Sequence, residues 1–345
     1  MNNKTRVHFN AYCSQIALLS SVALASEHFT VDPSVAQKLE EKTQLSSEFL
    51  SKINFVTVDQ QEGEKVGIGI TGTIAGRTNT NNGERQPIDP TGLTATSYRC
   101  EKTNFDTAIK YAKLDAWAHK PEFQTILRDA IVKRQGLDRM MIGWHGTSVA
   151  AETDRVANPL LQDVNKGWIQ HMREEAPARI LSEGAIEDRI YVHATEGDYV
   201  NLDALVFDAI QLLDEQHRDR TDLIVLVGWD LVHDKQFALV NAAGDKATEQ
   251  LARDVLLLDK KIGGKLAAVV PNFPAGKVVI TTYDNLSIYN QDGTRRRAII
   301  DNPKRDQVEN FESVNEAYVV EDYGLIAIVE NIEMGPKPVD PGEGG

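Results

Sequence analysis

The sequence predicts an α+β chain, and three observations carry that reading. Helix starts of the cap-then-proline kind, followed by apolar residues at three- and four-residue spacing, gather in the first two-thirds of the chain. Short, wholly apolar runs ended by glycine or turn pairs gather in the second half. Between residues 57 and 110 lies a polar, glycine-rich stretch that alternates like a strand on its way out and on its way back.

Taken in order, residues 16–25 imitate a secretory signal: they are mostly apolar, Lys4 and Arg6 precede them, and Ala23 to Ala25 resemble a small-residue cleavage site. Phe9, Asn10, Tyr12 and Gln15 sit badly in such a signal. Phe9, Tyr12, Ile16, Leu19 and Ala23 recur at helical spacing, so an amphipathic helix is the favoured reading. Asp32 caps a helix with Pro33 in its first position, and Val35, Leu39, Phe49 and Ile53 carry its stripe to residue 51 or so. The arm then alternates at Val66, Ile68 and Ile70, passes Gly72, Gly76, the polar run 78–83, Pro87 and Pro90, and returns over 96–110. An isolated two-stranded hairpin is marginal in water. The simplest cover for this one is another copy of the same chain.

A second helix starts near Pro121. Phe123, Ile126, Leu127, Ala130, Ile131, Leu137, Met140 and Met141 line one face, with Arg128, Asp129, Lys133, Asp138 and Arg139 on the other. A third is expected from Asn158-Pro159, with Leu161, Val164, Trp168 and Met172 on one side, and a fourth from Asn201. Residues 223–227, 278–282, 286–289, 318–320 and 325–330 read as strands. Asp292-Gly293 between 286–289 and 297–300 signals a hairpin. The tail 334–345 is disordered by composition.

At 345 residues and 41% hydrophobic content the chain can bury a real core. Its net charge of −14 argues against a general nucleic-acid binder and against a membrane surface. Cys13 and Cys100 form no zinc spacing or disulfide framework, which suits a reducing compartment. No apolar run reaches the ~18 residues of a membrane span. No metal-binding spacing appears among the eight histidines, and no metal or cofactor is expected.

Two motifs point to enzymes. Gly67, Gly69 and Gly72 fit the dinucleotide G-x-G-x-x-G pattern, but a glycine- and asparagine-rich loop follows where a helix should open. His145 to Ala150 echo the histidine and serine motifs of a secreted subtilase-like serine hydrolase together, which one short segment cannot supply. The favoured readings are glycines in a flexible arm and a helix end followed by a loop. Arg295, Arg296 and Arg297, with Lys304 and Arg305, form one basic cluster, read as a charged sheet edge or as a contact for an anion or a neighbouring subunit.

The positive resemblance is more specific than either motif. Residues 6–12, 29–35, 63–72, 84–87, 130–135, 158–164 with Gly167 and Trp168, 175–179, 284–289, 302–305, 308–310 and 318–323 resemble, in the same order, the major capsid protein of P-two-like, peduovirus-type tailed phages. The likeness runs from about residue 5 to about residue 333. It implies the tailed-phage capsid fold of the HK-ninety-seven type. In that scheme the N-terminal arm spans 1–56, the extended E-loop 57–110, the peripheral domain with its spine helix 111–195 and 290–333, and the axial domain 196–289. The resemblance further implies a structural protein, not an enzyme, that assembles with itself into hexamers and pentamers of an icosahedral head enclosing double-stranded DNA. Scaffolding protein, maturation protease and portal protein would be partners. Residues 1–29 would be trimmed at a junction matching Phe29-Thr30, and Gly67, Gly69, Gly72 and Arg85 would belong to the assembly arm. The location implied is the virion, with assembly in the bacterial host cytoplasm.

Overall fold

The computed structural model describes residues 1–70, 75, 77–78, 84–85, 91–117, 123–233 and 261–338. Its larger sheet is organised by the 14-residue strand Gln307–Val320. One edge of that strand pairs antiparallel with Leu286–Gln291 and then Arg296–Asn302, and the opposite edge with Glu101–Asn104 and Thr107–Lys110. Asn54–Val58 lies parallel to Leu286–Gln291, and Phe29–Thr30 borders Arg296–Asn302.

Asp292-Gly293 therefore does not close the expected hairpin. Its two flanking strands follow each other along the same edge, with five residues against two between the pairs Asn290↔Glu316 and Arg296↔Ser313. Gly293, at φ +67°, turns the extra residues outward. The hairpin closes instead at 302–307, where the Arg305 amide bonds the Asn302 carbonyl (3.2 Å) and Asp306 takes φ +51°. Turn chemistry is local and is present at both places. The long strand's open edge decides which turn reverses the chain.

The second sheet has six strands in the order Lys261–Ile262, Lys265–Val269, Ile224–Val227, Val278–Thr281, Ala327–Val329 and Ile180–Leu181. Ile224 and Leu226 face one core, with Trp168, Met140 and Tyr318, whereas Val225 and Val227 face another, with Leu205, Val206 and Ile280. Burial on both faces explains why these strands read as unbroken apolar runs. The sheet crosses the expected domain limits. It takes Ile180–Leu181 and Ala327–Val329 from outside 196–289, while Leu286–Gln291 from inside that range joins the larger sheet. Helix Leu202–Ala209 covers the second core, and Asn201 Oδ1 accepts from the Ala204 amide (2.8 Å) as a cap.

The helix capped by Asp32 ends at Gln44, short of the expected limit. Phe49, Leu50 and Ile53 beyond it fill the first core, the Phe49 ring lying 5.5 Å from Trp144 and 6.2 Å from Trp168. The longest described helix, Phe123–His145, matches expectation, with residue 121 outside the described residues. The expected helix at Asn158-Pro159 does not form: Leu161 takes φ +60°, and the helix starts only at Trp168–Glu175. A Cβ at Gly143 would meet the Trp168 ring at 2.3 Å, so the two helices touch where only glycine fits. The first residues of the tail expected to be disordered are tied down instead. The Gly335 and Lys337 amides bond Val192 and Glu196, and Lys337 pairs with Asp198 (2.8 Å). Residues 339–345 lie outside the described residues.

Arg139 is the largest departure from the helical-wheel reading. Expected on the solvent face, it is fully buried. Its Nε donates to Glu316 Oε1 (2.7 Å), a second guanidinium nitrogen reaches the same carboxylate, and Phe105 stacks 4.8 Å from its charge centre. Glu40, on the helix Pro33–Gln44, lies 3.6 Å away and also binds Arg295. Arg295 Nε donates to Glu312 Oε1 (3.0 Å), and Gln135 Nε2 donates to Glu312 Oε2 (3.1 Å). Arg295, expected at a charged edge or as an anion or neighbour contact, is thus buried and paired with Glu312 and Glu40 within its own chain. Desolvation works against the charge on Arg139, but Glu316 and Glu40 outweigh it and hold the guanidinium protonated. Likewise Arg295 and Arg297 hold Glu312 below the usual carboxylate range against burial.

Removing one partner strands the others in a dry interior. Arg139→Met should cost about 3–5 kcal/mol in denaturant unfolding, and adding Glu316→Leu should recover most of that loss. An additive double variant would contradict the pairing.

Candidate assembly surfaces

The arm is a hairpin of Glu62–Ile70 and Thr91–Arg99. Its register runs from Glu62↔Arg99 to Ile70↔Thr91, and among the described residues neither strand pairs with any other. Its base is packed on the larger sheet. The Tyr98 ring sits 5.0 Å from Tyr289, beside buried Cys100, Ala317 and Val319. Burial pushes the Cys100 thiol up to about 11, so it stays an unreactive thiol at neutral pH. Gly67 and Gly69 lie mid-strand opposite Thr94 and Gly92, which is not the strand-to-helix turn of a dinucleotide site. Gly72 lies outside the described residues, and Arg85 is exposed.

The N-terminal segment forms the helix Asn3–Leu19, capped by Asn2 Oδ1 accepting from the Thr5 amide (2.8 Å). Ile16 and Ala17 are buried, Phe9 and Tyr12 half-buried, but Leu19 is exposed, so the apolar stripe is narrower than its sequence spacing implied. Arg6 and the Tyr111 hydroxyl both bind Asp301, the Asn2 amide donates to Asp115 (2.9 Å), and Arg297 donates to the Tyr12 hydroxyl (3.2 Å). The chain then turns onto the sheet edge, where Ile299 N donates to Ala25 O (2.8 Å), and the two-residue strand Phe29–Thr30 pairs with Arg297 and Arg296. Phe29 is buried with Tyr111, Leu114, Ile299 and Val308, and Thr30 is exposed. The candidate junction is therefore part of a paired edge strand.

The arginine triplet divides three ways. Arg295 is buried in the ionic cluster, Arg297 bonds Asn310 Oδ1 (2.9 Å) as well as Tyr12, and Arg296 is exposed. His145 ends the long helix with Nε2 against the Asn272 carbonyl (2.8 Å), and burial lowers its pKa. The Ser148 amide donates to the Gln162 carbonyl (3.1 Å). No group of acidic, histidine or cysteine side chains suited to a metal occurs among the described residues. Sequence reading missed the ionic cluster and the acceptor role of Asp301. Glu312 and Glu316, four apart on a strand and so on one face, were the available signal for the cluster.

Burial alone would raise the Asp301 carboxyl, but hydrogen bonds from Tyr111 and Arg6 outweigh it and hold the pKa below the ordinary value. A depressed carboxylate stabilises fully above its unfolded pKa of about 3.9, and the contribution fades as pH falls through the folded value. Amide protection across residues 5–19, taken relative to the intrinsic exchange rate at each pH, should therefore fall below that pH. Asp301→Asn should show faster exchange already at neutral pH and lose the acid step. Identical profiles for the two proteins would contradict the latch role.

These surfaces belong to a known architecture. The family described as phage major capsid protein, P2 family, matches residues 8–332. The capsid protein of Escherichia phage P2 is 46% identical over 344 residues, covering 97% of this chain and 96% of that one. The major capsid protein of Serratia phage KSP20 is 40% identical over 339 residues, covering 96% and 97%. A chain of the satellite phage P4 procapsid, solved with its size determination protein, superposes with a TM-score of 0.81 at 45% identity, over 98% of this chain and 100% of that one. The capsid of an empty GTA particle, at 12% identity and a TM-score of 0.50, shares the fold. The fold is the HK-ninety-seven type of tailed-phage capsids, and neither enzyme reading survives it. The chain belongs to the P2 family of phage major capsid proteins, structural subunits that assemble with one another into the virion shell.

Proposed function

We propose that the chain forms hexamers and pentamers of an icosahedral head around double-stranded DNA, and that its N-terminal segment is cut away at or near Phe29-Thr30 as the shell matures. The observation that carries the assembly reading is the arm: paired strands anchored at their base, pairing with nothing else among the described residues. Strands of that kind acquire partners on a neighbouring chain. In this reading 57–110 is the E-loop, 1–56 the N-terminal arm, 111–195 with 290–333 the peripheral domain and 196–289 the axial domain. Scaffolding protein, maturation protease and portal join it during assembly in the host cytoplasm. A net charge of −14 limits adhesion to the enclosed DNA, which is held non-specifically.

The subunit supplies no chemistry of its own. It buries apolar surface against neighbours at roughly 25 cal/mol per Å², and repetition by symmetry turns modest contacts into a closed container. Trimming makes the change between two shell packings irreversible.

Deleting residues 73–92 should leave a folded subunit that forms no shells by electron microscopy; normal shells would refute the arm's role. Intact mass of the subunit in finished particles should lack residues 1–29 or nearly so, and a full-length chain there would rule out the processing.

A further inference from the structure

We propose that the outer edge of strand Arg296–Asn302, with the apolar floor beneath it, is an interface between copies of this chain that residues 1–29 keep covered until they are removed. The proposal rests on the processing reading above.

Most of the groups that occupy this surface lie in the removable segment. Along the edge, Ile299 N donates to Ala25 O, and Phe29 stands opposite Arg297. Over the floor of Tyr111, Leu114, Ile299 and Val308 lie Ile16, Ala17, Ala25 and Phe29. At the rim Arg6 binds Asp301, the Asn2 amide binds Asp115, and Tyr12 accepts from Arg297. Thr30, opposite Arg296, and Val31, whose amide donates to Arg295 O and whose side chain is buried in the same cluster, stay behind the cut, as do Val35 and Ala36 at its margin. One hydrolysed peptide bond would thus free a strand edge, bare an apolar floor and strip the cation from Asp301 in a single event.

A strand edge above an apolar floor pairs with another chain when it is left open to water. The occupant is a second copy of this chain, for two reasons. In a shell built from copies of one subunit, every trimmed copy opens the same edge, so the partner must be present once per subunit. The covering segment also shows what fits: an extended antiparallel stretch with an apolar residue for the floor and a cation for Asp301, both supplied here by this chain. The same contact explains why the cover must be covalently removed. While it is attached it competes at the high effective concentration of a tethered ligand.

The test follows the Ile299 amide by hydrogen exchange in full chains carrying a site-specific protease sequence inserted after Glu27. The amide should exchange slowly in the uncut subunit and about tenfold faster or more in the cut, dilute subunit freed of its segment. It should be slow again in trimmed shells. An amide that stays fast in trimmed shells shows an edge without a partner and overturns the interface. A segment that remains bound after the cut, or exchange unchanged by its loss, overturns the cover. If particles instead retain residues 1–29, intact mass shows it, and the processing reading itself fails.

Discussion

Two carboxylates on one face of the long strand Gln307–Val320 constrain the rest of the body. Glu312 and Glu316 are buried, and a buried carboxylate without a cation costs several kcal/mol. Arg139 must come from the long helix and Arg295 from the step between the two edge strands. Glu40 bridges both arginines from the helix Pro33–Gln44. Three separate elements are thereby held in one register against the strand. Apolar packing alone tolerates sliding and repacking. Matched charges in a dry interior do not, and the ionic cluster therefore fixes the body on which the arm and the N-terminal segment are mounted.

The parts mounted on that body are of two kinds. The arm hairpin satisfies its inner hydrogen bonds with itself, and among the described residues its outer edges pair with nothing. The N-terminal segment does the opposite, lying on an edge that the body would otherwise leave open. Both devices manage the same liability, unpaired backbone at a sheet margin. A shell subunit needs that liability controlled in time: closed while it is a monomer, available when neighbours are in place.

Local signals were legible in the sequence wherever local physics decides the outcome. Asp32 and Asn201 cap the helices they were expected to cap, the apolar runs are strands buried on both faces, and the alternating arm is a hairpin. The misreadings came where distant residues decide. Arg139 looks solvent-facing on a helical wheel, because its partner Glu316 lies 177 residues away. Asp292-Gly293 is a good turn sequence that the edge of Gln307–Val320 flattens into a step. Asn158-Pro159 is a good helix start that φ +60° at Leu161 cancels. The assembly function was legible through the resemblance of many ordered segments, whereas charge, cysteine count and the histidine pattern only excluded alternatives.

The central claim is that the arm finds its partners on sister chains. Electron cryomicroscopy of shells assembled from the full chain tests it most directly. The account predicts both strands of each arm lying across the body of an adjacent subunit, with the base still seated against Tyr289 of its own chain. Arms folded back onto their own subunit, with no neighbour in contact, would contradict it.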